Sequence, residues 1–331
     1  MSIQPLRRDA RCVRVAFVLV PGFSMLTYAS AIEPLRAANQ ISEQSLFSWA
    51  HITPNGLPAA ASNGVELRPD QRMDKAAHFD FVFVCASDEG ASFKDRATLS
   101  WLRYCASRGS VLGAMSGGAF VLARAGLLTG RRATLHWAYS EAFAEEFPEI
   151  DLRRSLYELD GDRVTCAGGI SPLDMMHALL LREHGAKLTT DVTEWFLHTE
   201  FREGQQPQRL SFQARLGVSH RGLMKALEAI DNALEEPLSR ASLAVRAGVS
   251  TRQLDRLFMS QLGTTLGDYY QRIRLQRARS LVTQSNLSML EIATICGFQG
   301  AASFSKAYKR RYGHAPSTER VRYNTHLRPF A

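Results

Sequence analysis

The chain has 331 residues, 45% hydrophobic and 22% charged, with 12 Pro and 23 Gly. That is the composition of a globular protein of about two domains, and it excludes collagen-like, mucin-like and disordered chains. The formal charge of +8 gathers at one end: Arg240 to Ala331 carries 15 Lys and Arg against 4 Asp and Glu, while the rest holds 25 against 28. A basic module joined to a mildly acidic one points to a polyanionic partner.

The opening MSIQPLRRDARC has no apolar core of the kind a signal peptide needs. The most apolar stretch, VRVAFVLVPGFSMLTYASAI, is broken by Arg14, Pro21 and Gly22, so a cytoplasmic chain without a membrane span is expected. Cys12, Cys85, Cys105, Cys166 and Cys296 lack CxxC spacing and mostly sit in apolar strings. Reduced, buried thiols follow, with no zinc site, no other metal and no cofactor expected.

In chain order, Val13–Val20 and Phe79–Ala86 are continuous apolar runs, as strands buried on both faces of a parallel sheet require. Helices are predicted over Ser24–Asn39 and Asp95–Arg108. The run SVLGAMSGGAFVLARAGLL then reads as strand, glycine turn and helix, and another helix, Ser171–Glu183, follows Gly168-Gly169. This alternation predicts an α/β fold with a doubly wound, flavodoxin-like sheet whose ligands bind at the strand C-termini.

The turn AMSGG is close to the G-x-S-x-G nucleophile elbow. One reading makes Ser116 a nucleophile with His136 as its base. The other makes Ser116 a helix cap, with Gly117 and Gly118 present for close packing. The residues alone leave both open.

From Val13 to Phe201 the chain resembles the class I glutamine amidotransferase-like superfamily, in its PfpI-type branch. The resemblance implies a nucleophilic Cys at the elbow, a His after it and an acid on the first-strand loop. Here those places hold Ser116, His136 in GRRATLHW, and Thr27. Losing the thiolate removes the family chemistry, so the resemblance implies a degenerate pocket rather than an enzyme. Its implied lining is Phe23, Thr27, Tyr28, Asp88, Glu89, Ser116, Gly117, Gly118, His136 and Trp137. Rings and a carboxylate suit a cationic or quaternary ammonium group, and helix-terminal amides suit a carboxylate. The alternative is an active Ser/His amidase or hydrolase fused to the basic module.

The polar, Gln-rich run REGQQPQRLSFQARLGVSH separates the two modules. It sets a front domain, expected to sense a ligand, at 1–206, a linker at 207–220 and the basic domain at 221–331.

The basic module contains a repeat. LSRASLAVRAGVSTRQLDRLFMSQLG falls on LSMLEIATICGFQGAASFSKAYKRRYG, matching Ala244 with Ala293, Gly248 with Gly297, Phe258 with Tyr308 and Gly263 with Gly313. Each copy reads as helix, glycine turn, helix, which is one supersecondary unit used twice. At about 100° per residue, Arg252, Arg256 and Met259 face away from the buried stripe of the first copy, and Ala302, Lys306 and Lys309 from that of the second. Arg and Gln can read guanine and adenine edges, so the first copy is expected to read bases and the second to hold phosphates. The segment from Gly267 to Gln284 is predicted to be a helix of about 27 Å, against about 34 Å between successive major grooves on one side of a duplex.

Leu223 to Tyr323 resembles the AraC/XylS family of transcription regulators, through the repeated turn, the connector RIRLQRARSLV and the run IATICGFQGAASFSKAYKRRYGHAP. Leu266 departs from it, since the family more often has Pro there. The resemblance implies an all-α domain with DNA contacts from Ser250, Thr251, Arg252, Gln253, Arg256, Arg274, Gln299, Ala302, Ser303, Ser305, Lys306 and Lys309. With both modules in this order, and TCAGG, LDMMHALL and the QR pair before the DNA-binding part, the chain resembles the GlxA-like subgroup. That implies a homodimeric activator on double-stranded promoter DNA, acting on RNA polymerase. Its small-molecule effector would be of the arginine, glycine betaine or carnitine kind.

Overall fold

The computed structural model describes residues 11–326 and divides into two compact units, one ending at Gln208 and the other starting at Arg209.

The front unit is built on a six-stranded sheet: β1 (Val13–Leu19), β2 (Phe47–Ile52), β3 (Phe81–Ala86), β4 (Val111–Ser116), β5 (Tyr157–Asp160) and β6 (Arg163–Cys166). The order is β2-β1-β3-β4-β6-β5, parallel throughout except for the edge pair β6–β5. All of β3, FVFVCA, is buried, as its unbroken apolar run predicts for a strand covered on both sides.

Helix α1 (Met25–Ser42) starts where Ser24 accepts from the Thr27 N–H at 3.3 Å, and runs three residues past the predicted end to Glu43 in the left-handed region. Asp95 caps α2 (Arg96–Ser107) by accepting from the Thr98 N–H at 2.7 Å. Helices α3 (Gly118–Arg124), α4 (Ser140–Glu146), α5 (Ser171–His184) and α6 (Ala186–Trp195) complete the unit. Val15, Phe17 and Leu19 of β1 and Phe81, Phe83 and Cys85 of β3 share one core cluster with α1 and α5. The period of two along each strand puts these residues on one face of the sheet.

The second unit holds α7 (Phe212–Leu216), α8 (Arg221–Asp231), α9 (Arg240–Ala247), α10 (Thr251–Leu262), α11 (Leu266–Gln284), α12 (Met289–Ile295), α13 (Ala301–Tyr312) and α14 (Pro316–His326). The segment 207–220 is not the free linker that its composition suggests. Pro207 bridges to Ser155, Ser211 caps α7, Val218 is fully buried and His220 caps α8. Gln-rich composition described the surface of this stretch and missed the apolar residues spaced through it.

Helix α11 serves both repeats. Its Leu266, Tyr269 and Tyr270 join the core of α8, α9 and α10, while Ala278, Leu281 and Val282 are buried further along. The repeated glycines both adopt positive φ, but a Cβ on Gly297 would also lie 2.7 Å from Pro237 Cγ and 2.8 Å from two carbonyl oxygens, whereas Gly248 faces open space. No helix among the described residues is long and apolar enough to cross a membrane.

Candidate functional site

The elbow lies at the C-terminal end of β4. Ser116 has φ +55°, a strained value for a residue with a Cβ, and its side chain is nearly buried, at 6% exposure. The glycines after it are sterically required: a Cβ on Gly117 would fall 1.9 Å from Ser87 O, and one on Gly118 would fall 2.3 Å from Val84 O. Gly168 closes the opposite side, where a Cβ would meet Ser116 Cβ at 2.7 Å, and the Gly169 N–H donates to Thr27 Oγ1 at 2.9 Å. Thr27, Ser116 and the Gly168-Gly169 turn therefore converge.

Tyr139 is the residue that sequence reasoning missed here. Its hydroxyl donates to Asp88. Burial and the neighbouring Asp88 push the Tyr139 phenol far above its usual range. The available signal was its position three residues after His136, which puts both rings on one tight turn; their centroids lie 5.4 Å apart.

His136 Nδ1 accepts from the Ala138 N–H at 3.3 Å, and burial lowers the imidazole pKa against the opposing pull of Asp88. Among the described residues no hydrogen bond joins Ser116 to His136. Glu89 packs against Gly22; its Oε2 is buried with no hydrogen-bond partner among the described residues, and burial raises its carboxyl above the usual range. Trp137 stands 46% exposed beside His136.

Two of the expected lining residues belong elsewhere. Phe23 is fully buried in the core cluster, stacked edge-on against Tyr28. Tyr28 is committed to His51, oxygen to Nε2 at 2.6 Å, and His51 in turn to Asp70. The 3.6-residue period puts Tyr28 about 100° round α1 from Thr27, so only Thr27 reaches the elbow. A cavity of about 530 Å³ lies at the other end of the strands, lined by Val13, Phe47, Phe81, Leu179 and His184 among others.

In the second unit, α10 and α13 follow the glycine turns as predicted. Ser250 and Gln253 form a reciprocal capping box on α10, so Gln253, expected as a base reader, has its side-chain oxygen occupied at 3.1 Å from the Ser250 N–H. Thr251, Arg252 and Arg256 are exposed while Leu254 and Phe258 are buried. On α13, Ala302, Ser303, Lys306 and Lys309 are exposed and Ser305 is half-buried; Gln299 is exposed just before the helix. Ser303 donates to Gly300 O at 2.9 Å, within the first turn. Arg252, Arg256, Lys306 and Lys309 have no ion-pair or hydrogen-bond partner among the described residues.

Arg274 is not available to DNA in this way. It donates to the carbonyls of Cys296 and Gly297 and lies 4.1 Å over the Phe298 ring. Arg279 likewise pairs with Glu319 at 2.6 Å. Charge count alone cannot separate such internal ties from free cations.

Residues 243–322 match the helix-turn-helix domain family and residues 13–182 the DJ-1/PfpI family. The HTH-type transcriptional regulator GlxA of Rhizobium meliloti is 42% identical over 316 residues, covering 95% of this chain and 98% of that protein. CdhR of Pseudomonas aeruginosa, also an HTH-type transcriptional regulator, is 39% identical over 92% of this chain and 90% of its own length. A solved AraC family transcriptional regulator from Pseudomonas putida is 27% identical, with a TM-score of 0.50 over 56% of this chain and 99% of that one. The chain belongs to the AraC family of transcriptional regulators, in the group that carries a DJ-1/PfpI domain.

The regulator is thus a sequence-specific DNA-binding protein, and its close relatives are regulators, not enzymes. Among the described residues, the hydrolase alternative finds no hydrogen bond between Ser116 and His136, whose Nδ1 accepts from the Ala138 N–H instead. A THiJ/PfpI family protein from Pseudomonas syringae, 17% identical with a TM-score of 0.51 over 72% of this chain and 91% of that one, shares the fold alone.

Proposed function

We propose that the front unit is the regulator's sensor, a degenerate amidotransferase-like pocket for a small cationic or zwitterionic amine of the amino-acid or quaternary ammonium class. The observation that carries this reading is the buried, unpartnered Glu89 Oε2 beside the elbow. A buried acceptor without a partner is costly, and a cation supplies what it lacks. The exposed Trp137 ring beside His136 suits the same charge.

The DNA-binding unit then acts in the cytoplasm on promoter DNA as a homodimer. Arg252 and Arg256 of α10 meet base edges, and Lys306 and Lys309 of α13 meet phosphates. Effector binding changes the fit of the paired readers on tandem half-sites and so the access of RNA polymerase, with activation as the outcome. For this the effector must bind two arrangements unequally.

A thermal-shift screen of the full chain against L-arginine, glycine betaine, L-carnitine and other amines tests the reading, followed by promoter-fragment binding and transcription with each hit. The expected result is a rise in Tm with one class of amine and a change in affinity or transcription with the same compound. Identical melting, affinity and transcription with every amine overturn it.

A further inference from the structure

The Gln-Arg pair at the end of the front unit is not explained by sensing or by DNA contact, yet its first member is bound more tightly than its surroundings. Gln205, Gln206, Pro207 and Arg209 are exposed, while the Gln208 side chain turns inward and uses its whole amide. Its Nε2 donates to Thr134 Oγ1 at 3.1 Å, Leu135 O at 2.9 Å and Ser155 O at 2.7 Å, and its Oε1 accepts from the Trp137 N–H at 2.8 Å. Thr134 is itself fixed, with its N–H donating to Thr165 Oγ1 at 2.8 Å in β6 and its hydroxyl donating to Ser155 O at 2.8 Å.

The loop that Gln208 clasps is the wall of the elbow. His136 and Trp137 directly follow Leu135, and Tyr139, which donates to Asp88, ends the same turn; Ser87, next to Asp88, lies against Gly117 of the elbow. On the other side, Gln208 is the last residue of the front unit, and the next residue begins the DNA-binding unit. One side chain therefore joins the pocket wall to the exit of the chain.

We infer that Gln208 is a latch, a positioning residue through which occupancy of the elbow reaches the DNA-binding unit. This rests on the sensor reading above. A ligand that displaces the His136–Tyr139 turn moves the Trp137 N–H and the Leu135 carbonyl, and with them every anchor of Gln208 except Ser155 and Thr134. The segment that starts the second unit is then held differently in the two states. A glutamine suits the task because it presents a donor and an acceptor at one end of a short chain. A glutamate of the same size would turn an oxygen toward two carbonyls.

The test compares the full-length protein with Gln208→Glu and Gln208→Met by hydrogen–deuterium exchange, and measures promoter-fragment binding with and without L-arginine and glycine betaine. The latch predicts at least tenfold faster exchange in two places together, residues 134–139 and 207–212, with β1, β3 and the helices between 240 and 313 unchanged. It further predicts promoter affinity within twofold of wild type, probe binding retained, and the probe-induced change in promoter binding lost in both variants. Unchanged exchange at 134–139 overturns the inference, and so does loss of protection across the whole front unit, which would make Gln208 ordinary structural support. If neither amine changes promoter binding by the wild type, the sensor reading loses its support, and the exchange pattern alone still decides whether the latch exists.

Discussion

Arg274 donates its Nε–H to the carbonyl oxygen of Cys296 at 2.6 Å. This ties the long helix α11 to the turn of the second helix-turn-helix. Burial holds the guanidinium pKa below its usual value, and the Phe298 face beneath it compensates in part.

Replacing Arg274 by Ala removes the donor from two carbonyls and a ring contact, which is expected to cost about 2–3 kcal/mol. Urea unfolding followed by circular dichroism measures it. A phosphate-contacting arginine would instead leave stability alone and lower the salt slope of DNA binding by about 1; Arg274→Ala should leave that slope unchanged.

Glu89 gives a prediction with opposite effects on stability and binding. Burial raises its carboxyl pKa, so the folded state holds a proton that the unfolded chain would release. Its contribution to stability is therefore present at low pH and lost as pH rises through the raised pKa. Glu89→Gln is expected to increase the Tm of the unliganded protein at neutral pH. The same change removes the anion facing a cationic effector, and affinity should fall about tenfold or more. In the wild type, effector affinity should weaken as pH falls through the raised pKa, which calorimetry at several pH values will show.

Glu319 behaves in the other direction. Its burial opposes ionisation, yet hydrogen bonds from Tyr308 at 2.5 Å, Arg279 and His314 hold its carboxyl below the usual range. The stability it contributes is present above the unfolded carboxylate pKa of about 4.3 and is lost as pH falls through the lower folded value. All four tryptophans lie before residue 200, so their fluorescence reports the front unit alone. On acidification, helical circular dichroism should drop before tryptophan fluorescence changes, and Glu319→Gln should weaken the dependence of the helical signal on pH.

Much of the fold was legible because its signals are local. The unbroken run FVFVCA could only be a strand covered on both faces, and the paired glycines Gly248 and Gly297 marked both tight turns. The elbow was legible too, through the glycines after Ser116. What the sequence could not show was long-range choice of partner. Tyr139 reaches Asp88 across 51 residues, Gln208 reaches Trp137 across 71 residues, and Arg274 reaches Cys296 across 22. Each looks like an ordinary polar or charged surface residue until the chain is folded. Phe23 and Tyr28 misled for the same reason: lying near Thr27 in sequence did not put them on the face of the elbow.

The account depends most on α10 and α13 entering neighbouring major grooves together. Hydroxyl-radical footprinting of the full chain on its promoter, with Arg252→Ala and Lys306→Ala alongside, measures this directly. In each half-site two protected patches about one helical turn apart are predicted, with Arg252→Ala weakening one and Lys306→Ala the other. A single patch per half-site, or footprints of both variants indistinguishable from wild type, would contradict it.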